Sequence, residues 1–283
     1  MKERQTNSPL ISHLVEYLDY NGVSLALHSW TSLKTTHLIF YIHGIQSHSG
    51  WLFESGPYFA KNSISVFSLD RRGSGLSGGS RGDIADPTRI LDDYIHTIKL
   101  VKTRYPSTPI TFIGQSLGGT ILAALISLPD FDLKYSSLIF CASPLGKRSS
   151  MSNEVKEKIA SYKSDDELIK LNIDINDFTD LHLYLQFMLN DTLSIKQITK
   201  RSINSILRME EIYIHNYGTI KEKSAFLCPE TDPIIDIKLA TEIFMRLTSQ
   251  KGIVKIFNTC KHYLWFTKQS NHVHSWIKSF ILN

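Results

Sequence analysis

Gly114-Gln115-Ser116-Leu117-Gly118 spells G-x-S-x-G, and it falls between a β-branched apolar run at 110–113 and an apolar helical run at 117–128. In that context a serine hydroxyl can attack a carbonyl. A tight strand-to-helix turn lifts the side chain clear of a sheet but leaves no room for side chains two residues to either side, a demand that Gly114 and Gly118 meet. The turn also aims the free N–H groups of a helix N-terminus at the reacting carbonyl. Three fixed residues recur by accident, so the motif needs partners.

A serine hydroxyl is a weak nucleophile near neutral pH; it requires a base, and the base requires an orienting carboxylate. In this arrangement the acid and then the histidine follow the serine along the chain, each just after a strand. An apolar run at 224–228 leads into Pro229-Glu230-Thr231-Asp232-Pro233, and one at 253–257 into Asn258-Thr259-Cys260-Lys261-His262. Asp232 is the expected acid, with Glu230 and Asp236 as alternatives. The segment after 137–141, Ala142-Ser143-Pro144, offers no carboxylate. Of eleven histidines, His262 alone lies between the last strand and the last helix, and it is the expected base. His272 and His274 fall within that helix and read as surface residues. The expected oxyanion donors are the backbone N–H groups of Leu117 and of Ile45, the latter in the loop His43-Gly44-Ile45, where Gly44 permits close approach. His43 reads as a brace for that loop, and His43 and Gln115 are candidates for substrate contact.

These residues need a sheet that presents several strand ends at one edge. Asn21-Gly22 joins the runs 13–20 and 23–30 as a hairpin. Strand patterns at 37–42, 64–69, 110–114 and 137–141 alternate with helical patterns at 50–61, 86–105 and 117–128, which predicts a mostly parallel sheet with both faces covered. The rhythm breaks after Pro144. Residues 146–217 are rich in Lys, Asp, Asn and Ser, with helical patches at 153–162, 165–171 and 199–214 and no strand pattern. Alternation resumes with strands at 224–228 and 253–257, a helix at 236–248 and a last helix within 268–282. The expected organisation is one core domain in two parts, 1–145 and 218–283, with a helical cap inserted at 146–217. Within it, Tyr184, Leu185, Phe187, Met188 and Leu189 form an apolar cluster of the kind that lines an acyl channel, meets a lipid surface, or packs the insertion onto the core.

Composition excludes several other classes. The net charge of +4 is scattered in short pairs, not gathered into a stripe that would track nucleic acid. Cys141, Cys228 and Cys260 are odd in number and far apart, with no metal-ligand spacing, and Cys141 and Cys228 lie in apolar strand patterns as reduced thiols. Neither G-x-G-x-x-G nor a P-loop follows a strand. No cofactor or metal is expected. Met1 to Pro9 is polar and no stretch reaches a bilayer-spanning length, so a cytoplasmic protein is the expectation.

His43-Gly44-Ile45-Gln46-Ser47-His48-Ser49-Gly50 resembles the H-G-x-x-x-H-S-x loop of the monoacylglycerol lipase/lysophospholipase-like branch of the α/β-hydrolases, sometimes grouped with serine aminopeptidases. Asp70-Arg71-Arg72-Gly73-Ser74-Gly75-Leu76-Ser77-Gly78 resembles that branch's D-x-R-G-H-G-x-S-x-G turn, and Asn190-Asp191-Thr192-Leu193 is similar to a segment of its cap. Ser74 replaces the usual histidine, Pro229 the glycine three residues before the acid, and Gln115 a frequent histidine. The resemblance implies an α/β-hydrolase fold with an eight-stranded sheet and a cap. It also implies Ser116, Asp232 and His262 as the triad, Ile45 and Leu117 as oxyanion donors, and hydrolysis of small-molecule or lipid esters. Tyr184, Phe187 and Met188 are then candidates for the acyl-binding wall or for peripheral membrane contact.

Overall fold

The computed structural model describes residues 11–147 and 151–283. Eight strands form one sheet: β1 (Ile11–Tyr20), β2 (Val23–Ser32), β3 (His37–Ile42), β4 (Ile64–Leu69), β5 (Ile110–Gln115), β6 (Ser137–Cys141), β9 (Lys223–Pro229) and β10 (Ile253–Phe257). Their spatial order is β1-β2-β4-β3-β5-β6-β9-β10. β1 and β2 pair antiparallel across the Asn21-Gly22 turn, β2 pairs antiparallel with β4, and the other pairings are parallel. This is the mostly parallel sheet that the alternating pattern predicts.

β3 is fully buried, and its alternation divides its side chains between two cores. Leu38, Phe40 and Ile42 belong to the core that α2 (Pro87–Arg104), α3 (Leu117–Ile126) and α7 (Ile237–Leu247) cover on one face of the sheet. Ile39 and Tyr41 meet α1 (Ser55–Lys61) and α8 (Ser270–Leu282) on the other. Helix starts follow the capping signals. The Asp86 side chain accepts the Arg89 N–H ahead of α2, and the Asp236 side chain accepts the Leu239 N–H ahead of α7.

The strand order also locates the site. From β3 the chain moves outward to β4 and returns on the other side of β3 as β5. In open α/β sheets, ligands sit outside the carboxyl ends of the strands where the order reverses in this way. Here the loops after β3 and β5 flank that crevice.

Three sequence expectations are corrected. The helix expected over 50–61 is divided into a 3-10 turn, Ser49–Leu52, and α1; the His48 ring caps the first by accepting the Gly50 N–H. The helix expected over 165–171 is instead β7 (Leu168–Lys170), paired antiparallel with β8 (Gln197–Thr199) in a small second sheet. The Lys200 and Arg201 N–H groups bond to the Glu167 and Asp165 carbonyls beside it, so main-chain pairing overrides the local helical pattern. The remaining pieces of the 151–217 segment are α4 (Asn153–Ser161), a 3-10 turn at Ile175–Asp177, α5 (His182–Asn190) and α6 (Lys200–Tyr213). Finally, His274 is not a surface residue. It is 3% exposed, its Nε2 lies 2.8 Å from Ser55 Oγ, and it stacks on Tyr58 where α8 meets α1. His272 is exposed as expected.

No helix among the described residues is long and apolar enough to cross a membrane. Cys141 and Cys228 are buried in β6 and β9, and Cys260 is exposed.

His37 and His274 carry a pH signature. Burial pushes each from the ordinary 6.5 down to about 4. Between those values the unfolded chain binds protons that the folded chain refuses, so acid favours unfolding. Stability should be full above about pH 6.5 and fall as pH drops toward 4, and urea midpoints for His274→Phe should fall less steeply than wild type. Equal slopes would show that His274 does not contribute.

Candidate active site

Ser116 stands at the hinge between β5 and α3 with φ 51° and ψ −122°, a conformation costly for a residue with a Cβ. The surroundings hold it there. The Ser116 N–H bonds to the Cys141 carbonyl at 2.8 Å, and the Ser116 carbonyl accepts the Gly119 N–H at 2.8 Å. Glycine is required on either side. A Cβ on Gly118 would stand 1.9 Å from the Ile42 carbonyl oxygen, and one on Gly114 would stand 2.6 Å from the Gly118 carbonyl oxygen.

His262 follows β10, and its N–H bonds to the Asp177 carbonyl at 2.8 Å. Its ring is 2.9 Å from Ser116 Oγ through Nε2 and 2.8 Å from Asp232 Oδ2 through Nδ1. Asp232 follows β9. Its Oδ1 accepts the N–H groups of Ile234 at 2.8 Å and Ile235 at 3.2 Å, which leaves Oδ2 for the imidazole. The side chains of His262 and Asp232 are 2% and 0% exposed, so water competes little for these bonds. Asp236 is occupied capping α7, and Glu230 is exposed. Of the three candidate acids, the structure brings only Asp232 to the histidine.

Gly44 lies against Ser116, where a Cβ would stand 3.4 Å from the serine Cβ. The N–H groups of Ile45 and Leu117 donate to no acceptor among the described residues, and Ile45 lines the cleft beside Ser116. Two main-chain donors, one next to Gly44 and one next to Ser116 in the chain, are therefore unsatisfied. The cleft has an empty volume of about 280 Å³, part of it open to solvent, and Ile173, Phe178, Ile234 and Tyr263 form its apolar walls.

The remaining candidates occupy other positions. His43 is fully buried, away from the cleft. Its Nε2 accepts the Arg71 N–H at 3.0 Å, so Nδ1 carries the proton and donates to the Gly44 carbonyl at 2.8 Å. Burial and the Arg71 charge push its pKa down to about 3, which keeps the ring neutral and the tautomer fixed. Gln115 is also fully buried, and its Oε1 accepts the Trp265 indole N–H at 3.0 Å; it does line the cleft floor. Tyr184, Phe187 and Met188 do not line the cleft. Tyr184 stacks on Phe266 and donates to Glu54, Phe187 meets Trp51 and Phe53, and Met188 is buried in the same cluster. Their apolar stripe packs the 151–217 segment onto the core.

Two contacts of that segment were not legible in advance. Phe178 sets its ring edge-on to His262, 5.6 Å between centroids, and nothing in its local pattern separates it from an ordinary core residue. Asp191 accepts the Trp51 indole N–H at 2.7 Å and the His48 Nε2–H at 3.1 Å, tying the segment to the loop that carries Ile45. The signal for this contact lay in two motifs already recognised, His48 in one and Asp191 in the other. No cluster of three or more His, Cys, Asp or Glu among the described residues is arranged to hold a metal ion.

The sequence profile of the family described as serine aminopeptidase, S33, matches residues 34–269. The chain belongs to this family. Curated relatives include a monoacylglycerol lipase of Mycolicibacterium smegmatis, 28% identical over 104 residues covering 36% of this chain and 37% of that protein. A monoglyceride lipase of Rattus norvegicus is 30% identical over 136 residues, covering 48% and 43%. The chain thus spans well under half the length of these curated relatives. Over the whole fold the match is far more extensive. A soluble variant of Saccharomyces cerevisiae monoglyceride lipase, solved with a substrate analog, superposes with a TM-score of 0.82 at 18% identity, covering 99% of this chain and 97% of that one. The fold is that of the α/β-hydrolases.

The closeness of Gly118 to Ile42 makes the turn intolerant of a single methyl group. Gly118→Ala should lose about 1–3 kcal/mol or more in urea unfolding, because main chain must move to accept it. A loss below about 0.5 kcal/mol would show that the turn is looser than its geometry.

Proposed function

We propose that this chain is a serine hydrolase that cleaves carboxylic esters through an acyl-enzyme, with Ser116 as nucleophile, His262 as base and acid, and Asp232 as the orienting carboxylate. The observation that carries this reading is the unbroken hydrogen-bond chain from Ser116 Oγ through the imidazole to Asp232, at 2.9 and 2.8 Å.

An ionised Asp232 only accepts hydrogen bonds, so Nδ1 carries the imidazole proton and Nε2 turns its lone pair to the serine. Ser116 Oγ attacks the ester carbonyl while its proton passes to Nε2. The Ile45 and Leu117 N–H groups receive the oxyanion, stabilising charge that is larger in the transition state than in the substrate. The imidazolium next protonates the departing alcohol. Water then repeats the cycle on the acyl-enzyme, and Ser116 is released. Asp232 stabilises the transient imidazolium without itself taking the proton.

Monoacylglycerol-like esters are the substrates this reading favours, supported by the names of the relatives, with lysophospholipid-like esters as the alternative that the motif resemblance implies. The 146–217 insertion acts as a cap between the core parts at 1–145 and 218–283. Ile173 and Phe178 roof the cleft, and Phe178 presses on the base. The cleft is a narrow slot, and the space within it that a ligand could occupy is far smaller than the roughly 300 Å³ of a ligand pocket, so an acyl chain enters only when this roof moves. Leu183 and Leu189 of α5 are 72% and 50% exposed, which supports contact between the cap and a lipid surface.

Fluorophosphonate labelling joined to a substrate panel tests the proposal, using ester, thioester and amide of one acyl group. Wild type should label and prefer the ester. Ser116→Ala should lose labelling with its fold intact, and His262→Ala should lose at least about 10⁴-fold in turnover. Labelling of Ser116→Ala at the wild-type rate would displace the nucleophile, and preference for the thioester or amide would reassign the reaction.

A further inference from the structure

Arg71 follows β4 and is 2% exposed. It occupies the variable position of the 70–78 turn, next to Arg72, whose charge is answered by Asp93 at 2.6 Å. Arg71 has no such answer. No carboxylate lies within ion-pair distance of its guanidinium among the described residues. The neighbouring Asp70 directs its oxygens at the Ser49 and Leu76 N–H groups, each at 2.7 Å, and faces His28. A buried guanidinium without a carboxylate is costly, and an apolar side chain of similar volume would fill the space at less cost.

The Tyr94 hydroxyl and the His43 ring face the Arg71 guanidinium, and the remaining groups around it are main-chain carbonyls. Nη1 lies 3.4 Å from the oxygens of His43 and Gly44, and Nη2 lies 3.4 Å from Gly44 and 3.3 Å from Ile45. Its own N–H also bonds to His43 Nε2, the contact that obliges His43 Nδ1–H to point at the same Gly44 oxygen. One residue thus governs the Gly44 carbonyl directly and through His43. No cis peptide bond occurs among the described residues, so the Gly44 C=O and the Ile45 N–H of the shared peptide point in opposite directions. Holding that oxygen against the guanidinium turns the Ile45 N–H toward the cleft, where it has no acceptor of its own.

We propose that Arg71 is a positioning residue of the oxyanion hole: its guanidinium gathers the carbonyls of His43, Gly44 and Ile45 so that the Ile45 N–H faces the acyl oxygen on Ser116. This assignment rests on the ester-hydrolase reading. Arg71 touches neither substrate nor reacting atoms, and it acts through the 44–45 peptide. The peptide left without it is free to rotate its N–H away, which removes a donor from the transition state while leaving ground-state binding in place.

The test uses the full chain, a short-chain p-nitrophenyl ester in stopped flow, and Arg71→Met, Arg71→Lys and Ser116→Ala beside wild type, with near-ultraviolet circular dichroism to follow packing. Arg71→Met should acylate on the order of 10²-fold more slowly, with KM changed by less than about threefold, the split expected of a lost oxyanion donor. Arg71→Lys keeps the charge but lacks the planar fork that spans three carbonyls, so it should recover part of the rate. It carries the test alone should the methionine variant fail to fold. Wild-type acylation rates in the folded variants, a raised KM at unchanged kcat, or activity lost only in step with native packing would each overturn the assignment while leaving the proposed function standing. Turnover by Ser116→Ala at the wild-type rate would remove that function, and the assignment with it.

Discussion

A hydrogen bond of 2.9 Å between Ser116 Oγ and His262 Nε2 joins residues 146 positions apart in the chain. Its length leaves little tolerance, because a proton moves along it only when the donor, the acceptor and the orienting carboxylate are held together. The rest of the structure supplies that constraint. β5, β9 and β10 lie in one sheet with their carboxyl ends at the same edge, so the turns after them meet without any long excursion of chain. The strained backbone of Ser116 persists because Gly114 and Gly118 let main chain pack against main chain around it.

The 151–217 segment does more than line the cleft through Ile173 and Phe178. It bonds to the base through the Asp177 carbonyl and Phe178, and it bonds to the loop after β3 through Asp191 and the Ile195 N–H, which donates to the Gln46 carbonyl at 3.1 Å. A single segment is thereby in register with both the histidine and the Gly44–Ile45 peptide. Under the proposed function, any movement of the cap that admits an acyl chain is felt at the groups that carry the chemistry. Arg71 and His43 hold the same peptide through bonds of their own, none of them to the 151–217 segment.

Much of this was legible in the sequence because it rests on periodicity and order. Short runs rich in β-branched and aromatic residues, such as 37–42 and 64–69, alternating with helical patterns read as buried parallel strands, and the glycines around Ser116 suit a tight turn beside an apolar helix. His262 was distinguishable from ten other histidines by lying between the last strand and the last helix. Glu230 lies as near its strand end as Asp232 does, and only the structure separates the two acids. The remainder depends on what an apolar or charged face packs against, which periodicity does not encode. Tyr184, Phe187 and Met188 make the same stripe whether they line a channel or, as found, cover Trp51 and Phe266. His274 shares a helix face with Val273 and Ile277, yet only the approach of α1 buries it. Arg71 sits beside Arg72 in the chain, and which carbonyls a buried guanidinium gathers is decided by the loop after β3. β7 is three residues long, too short for its pattern to outweigh a local helical one.

The central claim is that Ser116 and the two main-chain donors converge on one acyl carbon. The measurement that meets it most directly is a crystal structure of the protein after reaction with a phosphonate ester, whose tetrahedral phosphorus mimics the acyl intermediate. The account predicts phosphorus bonded to Ser116 Oγ, with one oxygen about 2.7–3.1 Å from both the Ile45 and Leu117 nitrogens. Phosphorus on another residue, or its oxygen turned away from those two N–H groups, would contradict it.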